Sequence, residues 1–196
     1  EFNISIKSGN AVYSALKESS FNIYRTVIAK DNWYLLDEND CQLPLDKSNF
    51  SVSINNHTIH FDAIFNTIHG TPGEDGLIQG YFENIGIPQT ASDHYPSALT
   101  FNKRDCISVL KPYGILSAKN YLLDQGDFID VNAIVNKVGL PCFVKANRAG
   151  SSFGITKVKK KEELIFAIEH AYTEDNEVIV EEAIDGREFS VGIINY

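Results

Sequence analysis

Methionine is missing from this sequence altogether, tryptophan occurs once, and basic residues are the minority charge. Lys and Arg number 17 against 26 Asp and Glu, for a formal net charge of −9 and a pI near 5.0. No global positive field exists to draw in phosphate backbones, so a general nucleic-acid binder is not expected. No run of about 18 apolar residues occurs, so no helical membrane span is expected. The first residues show neither the basic region nor the apolar stretch of a secretory leader. Cys41, Cys106 and Cys142 are odd in number, far apart and without a CxxC pair. That excludes a disulfide framework, leaves too few ligands for zinc, and predicts buried, reduced thiols. With methionine absent even at position 1, 196 residues is not expected to be a natural length.

What is present is ordinary for a globular chain: 43% hydrophobic and 22% charged residues, enough for one or two domains with a real core. Ile4, Val12, Tyr13 and Leu16, with Gly9, predict a helix over 4–17. Strands are predicted at 24–29 and 33–36, and short hairpins or loop over 37–58. Residues 37–40 begin like a calcium loop, but Cys41 and Gln42 take the places of a ligand and of the turn glycine. A hairpin turn is the better reading. Residues 61–68 form a nearly continuous apolar run, as suits a strand buried on both faces. With a helix over 77–85 and a strand starting at Ile87, this predicts a parallel α/β layer. Further helices are predicted at 103–110, 130–138 and 161–172, and strands at 117–123, 142–147, 155–159 and 177–182. The apolar residues of 187–196 predict the beginning of another strand.

Three segments carry candidate chemistry. Residues 150–154 read GSSFG and match the G-x-S-x-G of a hydrolase nucleophile elbow. An elbow needs a helix straight after it and an acid before a downstream histidine. Here a strand pattern follows, and no Asp lies between Ser152 and His170. The alternative is a loop over a polyphosphate, with glycine N–H groups, two hydroxyls and Lys145 from the preceding strand. A plain glycine hairpin fits the segment equally well. The second segment, 69–76 (HGTPGEDG), follows an apolar run and precedes a helix, where α/β sheets place ligands. Glu74 and Asp75 suit the positive end of that helix, and a tight turn with an N-cap would look the same. The third, 178–188 (VIVEEAIDGRE), brings acids out of an apolar strand, either to meet an adenine amino group and ribose hydroxyls or as a solvated turn.

Taken in order, these segments resemble the D-alanine–D-alanine ligase family of the ATP-grasp superfamily. The resemblance covers essentially the whole chain. It rests on HGTPGEDGLIQGYFE (69–83), LTFNKRD (99–105), FVKANRAGSSFGITKV (143–158) and IVEEAIDGREFSV (179–191). It implies an α/β ATP-grasp ligase fold with an N-terminal Rossmann-like domain. Residues 1–91 would be that substrate domain lacking its first strand, 92–180 the central ATP-grasp subdomain, and 181–196 the start of the C-terminal subdomain. The implied reaction joins two D-alanines through an acyl phosphate, for peptidoglycan, using ATP and two magnesium (or manganese) ions.

By position, the resemblance assigns Glu1 to the first substrate's ammonium, with Ser5 and Lys7 extending the match. His69 falls beside the first D-alanine, and Ser151 beside the substrate-binding glutamate. Lys103 and Lys145 are assigned to the ATP phosphates, and Ser152, Phe153 and Gly154 to the loop over them. Glu181 would accept from the adenine amino group, Glu182, Ala183 and Ile184 would form the hinge beside adenine, and Glu188 would hold the ribose. Glu182 stands where relatives often carry lysine, and Ala146 replaces a common proline. Metal ligands are expected beyond Tyr196, so the chain alone is expected to bind ATP weakly and turn nothing over. The resemblance further implies a bacterial cytoplasmic homodimer with no nucleic-acid or membrane partner. D-Ala-D-lactate or D-Ala-D-Ser ligation, and a non-catalytic nucleotide-binding protein, are the alternatives.

Overall fold

A computed structural model describes residues 1–150 and 154–192. The chain divides into two compact units, Glu1–Asn102 and Lys103–Tyr196.

The first unit opens with α1 (Phe2–Leu16), whose half-buried side is the stripe Ser5, Ile6, Gly9, Val12, Tyr13 and Leu16. Five short strands then form an antiparallel meander in sequence order: β1 (Arg25–Ile28), β2 (Trp33–Leu36), β3 (Gln42–Asp46), β4 (Ser51–Ile54) and β5 (His57–Ile59). The turn between β2 and β3 is the expected hairpin: Asp37 Oδ1 accepts from the N–H groups of Asn39 and Cys41, each at 2.8 Å, and Asp40 takes φ 59°. The core gathers Leu35, Leu45, Phe50, Val52, Ile78 and Phe82. Phe50 is its centre, fully buried, with edge-on or tilted contacts to Trp33, Phe61, Tyr81 and Phe82. Such ring pairs contribute about 0.5–1.5 kcal/mol each beyond their buried area. Helix α2 (Leu77–Ile85) packs Ile78 and Phe82 into this cluster and stops at Gly86, φ 75°.

Two expectations fail in this unit. Residues 61–68 do not form a strand. They make one parallel bridge, Ile64 to Gln89, closed by Ile64 N–H to Pro88 O (2.8 Å) and Thr90 N–H to Ile64 O (3.1 Å). With one ladder neighbour the run is not buried on both faces, and Phe65 is 57% exposed. The strand expected from Ile87 likewise reduces to that bridge. The parallel layer is thus a single contact around α2, and the strand ladders of both units are antiparallel. A further helix, α3 (His94–Phe101), lies where no periodic pattern marked one.

The second unit contains α4 (Lys103–Leu110), β6 (Asn120–Asp124), α5 (Val131–Val138), β7 (Cys142–Ala146), β8 (Thr156–Val158), α6 (Leu164–Ala171) and β9 (Glu177–Glu182). Its sheet runs β6-β9-β7-β8, with every neighbouring pair antiparallel. Alternation along the strands sorts side chains to two faces. Cys142, Val144, Val158, Val178, Val180 and Leu123 pack with Ile134, Val138, Leu164 and Ile168 of the helices into a fully buried core. Residues 187–192 are irregular and exposed, so the strand expected there is not formed over them; 193–196 lie outside the described residues. The cysteines depart from a buried set: Cys142 is buried, Cys106 half-buried and Cys41 exposed at its turn.

Candidate functional site

In the first unit, the N-terminus of α1 meets the loop 69–76. The backbone of Glu1 begins the helix: its carbonyl accepts from Ile4 N–H (2.9 Å) and Ser5 N–H (3.0 Å). The Ser5 hydroxyl also donates to Glu1 O (3.2 Å) while accepting from His69 N–H (3.0 Å). One serine thus ties the helix start to the loop start. One helical turn on, Ser8 Oγ lies 3.1 Å from His69 Nε2 and fixes the imidazole. Gly70 takes φ 69°, and a Cβ built there would lie 1.9 Å from Glu1 Oε2. The Glu1 carboxylate therefore sits directly on the Gly70 backbone, beside His69. The left-handed backbone at Gly70 favours glycine, and a side chain there would push the Glu1 carboxylate aside.

The acidic residues of this loop are structural. Glu74 Oε2 accepts from Gly70 N–H (2.8 Å), and Asp75 Oδ1 accepts from Leu77 N–H (3.1 Å) at the first turn of α2. Gly73 leaves no room for a side chain, since its Cβ would meet Ile68 O at 2.3 Å. Gly73 O is held by Asn66 Nδ2 (3.1 Å) and by buried Gln79 Nε2 (2.5 Å). A cavity of about 640 Å³ adjoins this loop, and Glu1, Ser5, His69 and Thr71 are among its lining residues, as are Arg25 and Asp40.

In the second unit, the sheet face away from the helices carries the other candidates. Register places Phe143 opposite Glu181 and Lys145 opposite Ile179, so Lys145 and Glu181 are diagonal neighbours on one face. Their side chains meet at 2.5 Å and are 26% and 14% exposed. Asn120, Leu122, Phe143, Lys157 and Ile179 share that face by the same alternation. Lys157 and Lys145 lie over the Phe143 ring, 5.3 and 5.8 Å from its centroid. The face is a half-buried apolar floor with cations at its edge.

Lys103, the first residue of α4, turns its ammonium onto three carbonyls: Ala146 O (3.2 Å), Asn147 O (3.1 Å) and Ala149 O (2.8 Å). Burial lowers its pKa from the ordinary lysine value, and the Lys145 charge lowers it further, against the opposing pull of Glu181 and Asp175. The segment it grips is anchored at Arg148. That guanidinium makes a two-pronged contact with Asp175, Nε to Oδ2 at 3.1 Å and Nη2 to Oδ1 at 2.8 Å, while Arg148 N–H reaches Oδ2 at 2.7 Å. Burial pushes the Asp175 carboxyl up, but these contacts outweigh it and hold the pKa below the ordinary value of 3.8. At the far end of the loop, Gly154 (φ 65°) is buried, and its Cβ would lie 3.0 Å from Glu174 Cγ. Asp175 thus anchors the segment before the glycine loop, and Glu174 lies beside Gly154 after it.

The structure brings together Glu1 with His69, and Lys145 with Glu181. Lys103 reaches the backbone of residues 146–149, just before the glycine loop. Glu182 belongs to β9, where its Oε1 accepts from Lys119 N–H at 2.9 Å. Its own N–H donates to Lys119 O, and Ala183 N–H donates to Pro141 O, so these two hinge groups are engaged within the sheet. Ile184 and Glu188 lie on the exposed irregular segment after β9. Ser151, Ser152 and Phe153 fall outside the described residues. A strand, β8, and not a helix follows the glycine loop, which removes the nucleophile elbow. Sequence reasoning missed Asn147, Arg148 and Asp175. A lone asparagine and a distant ion pair leave no spacing signal.

Among the described residues no group of three or more His, Cys, Asp or Glu could hold an ion. No helix among them is long and apolar enough to cross a membrane.

Known proteins place both units. A model of the D-ala D-ala ligase N-terminus matches residues 1–92, and one of the D-ala D-ala ligase C-terminus matches 104–196. The D-alanine–D-alanine ligase of Flavobacterium johnsoniae is 59% identical over the whole chain, which spans 61% of that relative's length. The crystal structure of D-alanine–D-alanine ligase from Helicobacter pylori superposes with a TM-score of 0.81 at 26% identity, over 94% of this chain and 60% of that one. The VanG D-Ala:D-Ser ligase from Enterococcus faecalis gives 0.75 at 32% identity, over 95% and 60%. With both halves matched by the models of one family and with its α/β fold shared by solved ligases, the chain belongs to the D-alanine–D-alanine ligase family.

Proposed function

We propose that the protein joins two D-alanines into D-alanyl-D-alanine at the expense of ATP, supplying a dipeptide for peptidoglycan. The observation that carries this reading is the Glu1 carboxylate seated on Gly70 beside His69. It offers a negative charge for an amino acid's ammonium next to a polar loop of backbone groups. The cavity it borders, about 640 Å³, has room for a small amino acid.

The chemistry follows from the groups involved. A carboxylate is a poor electrophile, because an oxide is a poor leaving group. Its oxygen attacks the γ-phosphorus of ATP, the bond from that phosphorus to the β-phosphate oxygen breaks, and ADP leaves. The amine of the second D-alanine then attacks the acyl carbon and loses a proton. The C–O bond to phosphate breaks, and inorganic phosphate leaves. Glu1 holds the first ammonium and so orients the attacking carboxylate. His69, fixed by Ser8, donates or accepts a hydrogen bond beside the acyl group.

Lys103 and Lys145 supply fixed positive charge where negative charge builds on the phosphates. The floor of Phe143, Ile179 and Leu122 fits an adenine ring, and Glu181 its amino group. Nucleotide binding there exchanges part of the Lys145–Glu181 contact for contacts to phosphate and base. Magnesium, or manganese, would neutralise phosphate charge when bound. Among the described residues no group of three or more His, Cys, Asp or Glu could hold it unaided.

The test is the complete protein with ATP and D-alanine. ADP, phosphate and the dipeptide should appear in equal amounts, and L-alanine should not replace D-alanine. ATP consumption indifferent to D-alanine would remove the reading. The D-Ala:D-Ser relative keeps a second product in view, so D-serine and D-lactate are offered in competition and the products weighed by mass spectrometry. We place the protein in the bacterial cytoplasm as a homodimer, which sedimentation of the complete protein checks.

A further inference from the structure

We propose that Asn147 is a positioning residue that fixes the separation of Lys103 and Lys145. The inference rests on the reading that these lysines serve a nucleotide's phosphates. Asn147 is 1% exposed, so it acts through its neighbours and not on a ligand. Its side chain faces two elements at once. Oδ1 accepts from Arg104 N–H (2.8 Å) in the first turn of α4, and Nδ2 donates to Glu177 Oε2 (2.6 Å) at the start of β9. Its backbone repeats the bridge: Asn147 N–H donates to Glu177 O (2.9 Å), and Asn147 O accepts from Lys103 N–H (3.4 Å) and Lys103 Nζ (3.1 Å).

Each lysine is reached in a short step. Lys103 is the residue before Arg104, so the bond that caps α4 also aims the root of the Lys103 side chain. Lys145 lies two residues before Asn147, and its ammonium meets Glu181 on the same β9 strand that Asn147 grips through Glu177. The positions of both cations are therefore referred to a single carboxamide.

The side chain must donate on one side and accept on the other. An aspartate could still accept from Arg104 N–H, but it would set a carboxylate against that of Glu177 in a half-buried place, where like charges repel. Exchanging both residues restores the match with its polarity reversed. In the Asn147→Asp, Glu177→Gln double variant the carboxylate lies on the β7 side and the amide on the β9 side. Arg104 and Arg148, at 4.0 and 3.6 Å from the Glu177 carboxylate, still supply positive charge nearby.

The experiment uses the complete protein and measures KM for ATP and for D-alanine separately, with ATP binding by equilibrium dialysis. Asn147→Asp should raise KM and Kd for ATP about tenfold, the scale of one hydrogen bond to a charged group. KM for D-alanine should not move, and the double variant should recover most of the loss. A folded Asn147→Asp protein with unchanged ATP affinity overturns the inference. So does an equal rise in both KM values, or a double variant no better than the single one. If Asn147→Asp alone fails to fold, the double variant decides by the same comparison with wild type. Wild-type protein that binds no ATP would remove the underlying reading, and the inference with it. Wild type that binds ATP no better than the single variant overturns the inference alone.

Discussion

At Gly70 a single added methyl group would displace the Glu1 carboxylate, proposed above to hold the first ammonium. Alanine there would strain a left-handed backbone by about 1–2 kcal/mol and drive its Cβ to 1.9 Å from Glu1 Oε2. We expect Gly70→Ala to raise KM for D-alanine roughly 10- to 100-fold, the scale of an ångström of misplacement, with KM for ATP little changed. Steady-state kinetics on the two substrates checks this. Lys145→Ala should act on the other substrate. Loss of a charge-assisted contact to phosphate costs about 2–3 kcal/mol, roughly a 30- to 150-fold weaker Kd for ATP. The variant also leaves Glu181, 14% exposed, without its partner, so the phosphates meet added negative charge. Calorimetric titration with ATP measures the sum. Asp175 gives a pH prediction. Its folded pKa lies below the ordinary 3.8, so its ion pair stabilises fully above that value and is lost as pH falls through the folded pKa. Acid titration followed by circular dichroism should show Asp175→Asn less stable than wild type at neutral pH, with the difference closing below about pH 4. A gap that persists into strong acid would show that the carboxylate's charge is not the cause. These residues differ in how visible they were. Glu1, His69, Lys145 and Glu181 stood in motifs that matched family positions. Asn147 lies within the 143–158 motif but at a position given no role there, and Asp175 lies in no motif; their partners are 43 and 27 residues away in sequence.

Among the elements, those with an internal signal were legible and those defined by neighbours were not. Helix α2 begins after glycine-rich HGTPGEDG and ends at Gly86, and its bounds match the reading residue for residue. β9 was equally plain, because Val178, Ile179 and Val180 are all buried. Residues 61–68 carry the same apolar density, yet density records only how hydrophobic a run is, not how many strands lie beside it. With one bridge to Gln89, no strand forms. Helix α3 escaped because it buries Ser97 and not an apolar stripe, with Pro96 in its first turn. The packing of the two cores yields a further expectation. Phe50→Ala should destabilise the first unit by about 3–5 kcal/mol, and Ile168→Ala the second by about 2–5 kcal/mol, as expected for emptied sites that collapse only partly. Urea denaturation of each variant, followed by Trp33 fluorescence for the first and circular dichroism for both, measures the loss. A cost under about 1 kcal/mol in either would mean the site repacks.

For the whole molecule, the chain spans 61% of the length of its Flavobacterium johnsoniae relative. Its two units hold separate halves of one proposed task, Glu1 for the first ammonium and Lys103 and Lys145 for the phosphates. Among the described residues no metal-binding cluster is found. The complete protein should show ligase turnover in a coupled ADP assay. The central claim is chemical: the carboxylate of the first D-alanine is the nucleophile toward ATP. Incubating the complete protein with ATP and D-alanine labelled with oxygen-18 in its carboxylate tests this directly, read as the mass of the phosphate released. The account predicts transfer of one labelled oxygen to inorganic phosphate for each dipeptide formed, with ADP as the other product. Unlabelled phosphate, or label carried on AMP, would contradict it.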